Sequence, residues 1–408
     1  MMRNTAPLWA LCTINDETLS DKTDPGYSFN YVDISNVTEG SISSELESLT
    51  FATAPSRARR IARAKDVIVS TVRTYLRAIA QVGKVKQQRI YSTGFAVLRP
   101  NPNDADPRYV AYVLGSKQVM DEIVATSVGV SYPAIQASVL HRIRVPHHDF
   151  FAQQRIADYL DRETGEIDAM IAKMDELADA LMSRRKRSIS HTVTGQSGTA
   201  NQSFREATWQ GRVPSDWQQI RLGMILFPTE EKVGDRWNTT QLLSLTKKGI
   251  ITRDPDSGEG KFPASFEQYQ VIYPNDVLMC LFDIDETPRT IGRSQLDGMI
   301  TNAYTRFVVN EEVADSRFIE WAFTAVDDVK GLRPLYTGLR KTVRKSVLLN
   351  ERFYLPSLAE QKHIADQLDE ITGKIDAMLA KVAELKQLLT ERRAALITDV
   401  VTGRKEVA

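Results

Sequence analysis

Apolar residues recur at alternating steps of four and three along two stretches of the chain. Ile364, Leu368, Ile371, Ile375, Met378, Val382, Leu385, Leu389 and Leu396 keep this spacing, interrupted only at Arg392. An earlier stretch keeps the same frame with Ile156, Leu160, Ile167, Met170, Met174, Leu177 and Leu181, broken at Glu163 and later at Arg184 and Ser188. This is the a/d seam of a coiled coil, so each stretch predicts a long amphipathic helix. Asp149 is placed to cap the first helix. Pro356 followed by Ser357-Leu-Ala-Glu360 is a capping-box start for the second, and Gly195 and Gly403 are natural stops. At 1.5 Å per residue, helices of this length run on the order of 60 Å. Neither can bury its stripe within its own half of the chain, so the two are expected to pack against each other as an antiparallel pair.

The two stretches are copies. Gln153 to Gly195 and Gln361 to Gly403 align without a gap and share IAD, the following Leu-Asp, TG, IDAM, Ala-Lys, Glu-Leu, Arg-Arg and a closing VTG. Roughly half of the aligned positions are identical, far more than two unrelated amphipathic helices share. The duplication extends outside the helices only as landmarks. Asp276-Val-Leu-Met echoes Asp66-Val-Ile-Val, Arg317-Phe-Ile-Glu-Trp echoes Arg108-Tyr-Val-Ala-Tyr, and Ser346-Val-Leu echoes Ser138-Val-Leu. A spacer that stayed alike between segments that diverged is expected if each segment reads something different.

Between the helices the pattern changes to short runs. Tyr27 to Val32, Asp66 to Val72, Ala78 to Val82 and Phe95 to Leu98 predict strands, and Pro55 to Ala64 and Arg108 to Leu114 predict helical turns. The polar stretch 196–208 reads as a flexible linker. The expected fold class is α/β with mixed α+β heads: two globular domains separated by two long helices packed as an antiparallel coiled coil, with an internal pseudo-two-fold repeat. The expected boundaries are 1–145 for the first head, 146–196 for the first helix, 197–208 for the linker, 209–354 for the second head and 355–404 for the second helix.

A chain of 408 residues with 42% hydrophobic and 25% charged residues has ample core. No apolar run approaches the roughly 18 residues of a membrane span, and the expected localisation is cytoplasmic. Cys12 and Cys280 lie in opposite halves without a CxxC partner and read as buried free thiols. The 52 basic residues are balanced by 52 acidic ones, which argues against a protein that coats nucleic acid indiscriminately. The distribution is uneven, however. From Arg57 to Arg89 the cations Arg57, Arg59, Arg60, Arg63, Lys65, Arg73, Arg77, Lys84, Lys86 and Arg89 face only Asp66. From Lys330 to Arg352 a second cluster faces only Glu351.

Catalytic motifs are absent: there is no GxxxxGK[ST] loop, no GxGxxG after a strand, no HExxH and no GxSxG. Asn101-Pro-Asn-Asp104 and Tyr273-Pro-Asn-Asp276 read as turns. His147-His148 lacks further ligands at metal spacing, and Asp283, Asp285 and Glu286 read as a solvated loop before a divalent-cation site. No catalytic or metal residue is expected. The basic clusters are interleaved with hydroxyls, a mix in which Lys and Arg neutralise phosphates while Ser, Thr and bidentate Arg read base edges. The candidate DNA-binding residues are Arg63, Lys65, Ser70, Thr71, Arg73, Tyr75 and Arg77 in the first head, and Arg289, Arg293, Arg340, Lys341, Thr342, Arg344 and Lys345 in the second. The two clusters fall at different places in the two repeats. Asp158, Asp161, Glu166, Asp366, Asp369 and Glu370, on the outward helix faces, are either plain solvated helix or a docking surface.

Taken together, Leu355-Pro-Ser-Leu-Ala-Glu-Gln361 followed by Ile364-Ala365, IDAM, the terminal VTG, the Val213-Pro-Ser-Asp-Trp217 opening of the second head and the Asp66 to Val72 strand resemble the specificity subunit of type I restriction-modification enzymes. The resemblance covers essentially the whole chain, although the first head lacks the Pro-x-x-Trp opening. Its first helix also opens with two more residues between Pro146 and the shared part. The resemblance implies two target recognition domains, each reading half of a bipartite, asymmetric double-stranded DNA site, held apart by the helices. It implies as partners two methylation subunits and restriction subunits, with no membrane. No cofactor is then bound by this chain: S-adenosylmethionine, Mg2+ and ATP belong to the partner subunits, and the chain is not itself an enzyme. If the helices are a ruler, inserting a few residues should change the unread gap and not the bases read. Two other readings are a coiled-coil scaffold whose heads bind proteins, and a stand-alone methyltransferase, which the missing cofactor loop disfavours.

Overall fold

A computed structural model describes residues 5–38, 40–85, 87–129, 132–196, 203–255, 263 and 265–407. Lys86 of the first basic cluster and 197–202 of the expected linker lie outside these. The chain forms two compact units, Met1–Asp175 with Ala383–Ala408, and Glu176–Val382. Each unit holds one head together with parts of both long helices, so the division runs through the helices and not around them.

In the first unit, Thr5–Pro7 pairs antiparallel with Arg144–Pro146 and ties the start of the head to its end. A four-stranded antiparallel sheet follows the order Cys12–Ile14, Phe95–Pro100, Val67–Ser70, Ile79–Gln81. Its Val67–Ser70 strand is buried along its whole length, which explains a continuous apolar run in place of alternation. A second sheet has the order Glu47–Thr50, Ser28–Val32, Arg89–Ser92, Ala58–Ile61 and contains one parallel pair. The helix expected over Pro55 to Ala64 is thus a turn and a strand, with Ala58–Ile61 paired to Arg89–Ser92. Its Arg-rich composition is tolerated in a strand because Arg59 packs its guanidinium over Phe51 at 4.6 Å.

The second unit repeats the framework. Gln218–Arg221 pairs with Arg352–Leu355, and a four-stranded sheet has the matching order Leu226–Thr229, Thr305–Val309, Val277–Met279, Ile291–Arg293. The remaining strands differ from those of the first head: Leu243–Thr246 forms a hairpin with Gly249–Thr252, and Gln270–Ile272 pairs across a longer connection with Gly298–Ile300. The end of the expected linker is ordered as strand Phe204–Ala207 against Gly211–Pro214. Cys12 and Cys280 are buried free thiols, and burial pushes the Cys12 thiol up to about 12.

The long helices run Phe150–Val193 and Leu358–Val401. The Asp149 carboxylate accepts from Ala152 N–H at 2.9 Å and the Ser357 hydroxyl from Glu360 N–H at 3.3 Å. Gly195 and Gly403 end them at φ +66° and +72°, a left-handed stop that suits glycine. Within the first unit, Arg393 bonds Asp168 at 2.8 Å and Lys386 bonds Asp175, a decreasing partner number that makes the pair antiparallel. Within the second, Arg185 bonds Asp376 at 2.9 Å, the repeat-equivalent of Arg393 and Asp168.

The seam itself differs from the expectation. Met378 and Leu385 are about half exposed, and so are Met170 and Leu177. The inward positions are one residue later, at Thr372, Leu379, Lys386 and Arg393 in the second helix and Thr164, Ile171, Ala178 and Arg185 in the first. These alternate with the correctly expected Ile375, Val382 and Leu389, and with Ile167, Met174 and Leu181. Three of the inward groups are cations, each neutralised by an aspartate of the facing helix, so the seam buys its register with ion pairs where apolar counting favoured a neighbouring stripe.

Each head is locked to its helices by the same device. Asp106 and Asp315 cap short head helices, Pro107–Gly115 and Ser316–Asp328. Arg108 bonds Asp158 and Asp161 at 2.7 and 2.8 Å, and Arg317 bonds Asp366 and Asp369 at 2.7 and 3.2 Å. Tyr112 donates to Asp161, and the Trp321 indole to Asp369. These four aspartates are therefore neither free solvated helix nor open docking surface, but head-to-helix clamps. Glu370 forms an i,i+4 pair with Lys374.

A second repeated pair lies inside the sheets. The Asp66 carboxylate accepts from Arg99 at 2.9 Å, and Asp276 accepts from Arg306 at 2.7 Å with both partners buried. Burial raises the Asp276 carboxyl while Arg306 opposes that rise. Arg306→Met removes the opposing charge and is expected to cost the second unit roughly 3–5 kcal/mol near neutral pH. A folded-state pKa raised further means stability present at low pH and lost as pH rises through it. The deficit relative to wild type should therefore shrink as pH falls toward the carboxylate range, a trend that denaturant titrations at a series of pH values would check.

Candidate nucleic-acid interface

The strand Val67–Ser70 and its counterpart Val277–Met279 each run into a loop that touches the segment leading to a short helix near the end of the head. In the first head, Thr71 O accepts from Ile135 N–H at 2.8 Å and Pro133 O accepts from Arg73 N–H at 2.7 Å. In the second, Leu281 O accepts from Val343 N–H at 2.9 Å and Arg340 O from Asp283 N–H at 2.8 Å. Arg73 and Asp283 hold the same place in the two junctions, and both are left-handed, with φ 51° and 46°. Arg77 and Lys341 are left-handed as well, at φ 50° and 45°. Non-glycine residues in this region carry strain of the order of 1 kcal/mol or more and collect at functional sites.

This geometry corrects one expectation from the sequence. The clusters at 70–77 and 337–345 look unrelated along the chain, yet they are the two sides of one junction that recurs in each head. Each junction also carries one arginine stacked on an aromatic ring, with the roles exchanged. Arg73, on the strand-side loop, lies 5.0 Å over Tyr132; Arg340, on the opposite segment, lies 4.9 Å over Phe282 of the loop.

The candidate residues separate by surroundings. Arg73 and Tyr75 are exposed at the junction, while Arg77 reaches Asp121 at 3.4 Å. Arg344 and Lys345 are exposed, with no ion pair among the described residues. Arg340 bonds Asp283, Lys341 reaches Asp285 and Glu286 at 3.0 Å, and each holds its first-named carboxylate below the ordinary range. The acidic loop is thus occupied by cations of its own head. Thr342 joins Thr337 in a bridge across the turn.

Other candidates are structural. Ser70 and Thr71 are 2% and 8% exposed, and the Thr71 hydroxyl is donated to Gly94 O, so neither offers a hydroxyl to a ligand. Arg289 is paired with Asp327 and Asp328, and Arg293 is bonded to Glu320 and Asn275. Their acidic partners lie 27 to 39 residues away, invisible to a reading of local charge. Arg63 is exposed, paired with Glu17 at 2.8 Å, and Lys65 lies beside it away from the junction. Sequence reasoning missed Tyr132, Phe282 and Leu339, which only the long-range backbone bonds bring to the site. His148 is engaged with Val401 O at 3.2 Å, and no cluster of three or more metal-ligating side chains occurs among the described residues.

No family model matches the chain. Two relatives from Methanocaldococcus jannaschii, described as the type I restriction enzyme MjaX and MjaVIII specificity subunits, are each 22% identical, over 85% and 78% of this chain and 81% and 75% of their own. The EcoBI specificity subunit of Escherichia coli is 42% identical over 12% of this chain and 10% of its own. Among solved structures, the HsdS subunit from Thermoanaerobacter tengcongensis superposes with a TM-score of 0.51 at 21% identity, covering 98% of this chain and 97% of that one. The chain is similar to type I specificity subunits along most of its length and shares the fold of the HsdS subunit. A further chain, from a structure concerned with assembly and conformational transition of a type I restriction-modification system, reaches a TM-score of 0.66 at 20% identity over 98% of both chains. Two heads on a duplicated helix pair are the fold shared with these specificity subunits, and no described helix is long and apolar enough to cross a membrane.

Proposed function

We propose that this chain is a type I specificity subunit that recognises a bipartite double-stranded DNA site, one half per head, through the two repeated junctions, and that its helix pair sets the gap between the halves. The observation that carries the reading is the recurrence of a strained, cation-bearing junction at the same place in heads that otherwise differ. Structure kept through divergence while the side chains change is what a pair of readers with different targets requires. The chain supplies no chemistry of its own. S-adenosylmethionine, Mg2+ and ATP are held by methylation and restriction subunits, and methylation subunits dock along the helices. Half-exposed Met170 in the first unit recurs as Met378 in the second, one like apolar contact point per unit for a methylation subunit.

Selection of bound duplexes from a random pool, followed by salt titration, tests the reading. Two fixed half-sites separated by an unread gap are expected, with affinity falling steeply with salt. Arg73→Ala should reduce the salt slope by about one if Arg73 meets phosphate. Arg340→Ala should reduce it less, because Asp283 already balances that charge. Binding that is absent, or indifferent to salt, would favour the protein-binding scaffold instead.

A further inference from the structure

Each junction exposes one large apolar side chain at the same backbone position. The residue before the accepting carbonyl is Tyr132 in the first head and Leu339 in the second, where Pro133 O and Arg340 O accept from Arg73 and Asp283. Tyr132 is 66% exposed and Leu339 fully so. A single exposed leucine is unremarkable on a soluble protein. Two at equivalent places, in heads sharing few residues, need a reason, and packing supplies none because both stay largely exposed.

The surrounding backbone is built to present them. Leu339 sits at the crest of a turn closed by Thr337 and Thr342, whose backbones exchange bonds at 2.8 and 3.1 Å. The turn uses left-handed Gly338 and Lys341. Arg340 is held sideways over Phe282, so the leucine stands clear of it. In the first head, Arg73 lies over one face of the Tyr132 ring, which stays largely exposed. Tyr75 and Val128 extend the apolar tip there. Cations surround both tips: Arg73 and Arg77 in one head, Arg340, Lys341, Arg344 and Lys345 in the other. An apolar crest ringed by cations complements a duplex, whose apolar surface lies inside and whose charge lies outside.

We infer that Tyr132 and Leu339 are base-contacting specificity residues, making apolar contact with the bases of the first and second half-site respectively while the flanking cations hold the backbone. The inference rests on the DNA-recognition reading above. The contacted surface is either a thymine methyl group or the face of a base pair at an opened step; the chemistry is the same, and the experiment separates the two.

The test uses the full chain and the duplex it selects. Leu339→Ser is expected to lower affinity for that duplex on the order of tenfold, relax base preference in one half-site only and leave the salt slope unchanged. Tyr132→Ser should do the same in the other half-site. Uracil in place of thymine reproduces the loss if a methyl group is read. A 2-aminopurine probe at the affected step brightens on binding of wild type, and not of the variant, if the step is opened. Leu339→Met, which keeps the apolar crest, should retain affinity and shows that a loss in Leu339→Ser is not misfolding. Unchanged affinity and preference in both serine variants, with wild type still selecting a bipartite site, would overturn this inference alone. A wild type that selects no site would overturn the reading beneath it.

Discussion

Gln361→Leu is expected to destabilise the second unit by roughly 3–5 kcal/mol, because it leaves two buried backbone bonds and one half-buried one unmade at about 1–3 kcal/mol each, offset in part by the added apolar surface. Gln361 is wholly buried. Its side-chain carbonyl accepts from Asp315 N–H at 3.0 Å, and its amide donates to Val313 O at 3.2 Å and Pro356 O at 3.0 Å. It therefore ties three elements at one point: the loop before the head helix, the cap of that helix and the start of the long helix. Gln153 does the same in the first unit, with Asp106 N–H, Asp104 O and His148 O. Calorimetry should show Gln361→Leu lowering the melting of one unit, with Gln153→Leu acting on the other. Gln367→Leu, on an exposed face of the same helix, should change stability by less than about 0.5 kcal/mol. Equal small losses at 361 and 367 would mean that the buried amide does not fix the head to the rod.

These glutamines also show how far the sequence could be read. They opened the aligned repeats, so their identity was visible, but their role was not, since their partners in the heads lie 46 to 49 residues away. Helix limits were legible because caps and stops are local: Asp149, Ser357, Gly195 and Gly403 act on residues within a turn. The seam was legible in period but not in phase. Met378 and Leu385 are more apolar than Lys386 and Arg393, and only Asp175 and Asp168 across the pair explain why the cations lie inward. The strand at Ala58–Ile61 was hidden for a like reason, its partner being supplied from Arg89–Ser92. At the junctions, basic character was legible and the equivalence of the two clusters was not, because each lies on a different side of a contact closed by bonds across some 60 residues.

Lengthening the helix pair should affect DNA binding according to the turn of the duplex and not simply in proportion to length. Placing seven residues after both Asp175 and Leu385, opposite each other at the Asp175–Lys386 pair, preserves the heptad and the ion-pair register. One heptad adds about 10 Å, or about 3 base pairs, through which the duplex turns right-handedly by about 100°. Over the same length a left-handed two-helix supercoil of about 150 Å pitch turns about 25° the other way. One head would then face away from its half-site, and specific affinity should fall toward the non-specific level, a loss of about a thousandfold or more. Three heptads add about 31 Å, or about 9 base pairs, leaving the duplex about 50° short of a full turn. The supercoil, turning left-handedly by about 75°, brings the second head back to within about 25° of its target. That variant should therefore regain selection, with the same bases in each half-site and a gap wider by about 9 base pairs. A one-heptad variant that selected a gap wider by about 3 base pairs at undiminished affinity would show that the heads swivel freely. The helices would then set the distance between the half-sites and leave the orientation of the heads free. Half-sites whose bases changed with rod length would remove the separation between reading and spacing on which the proposed function depends.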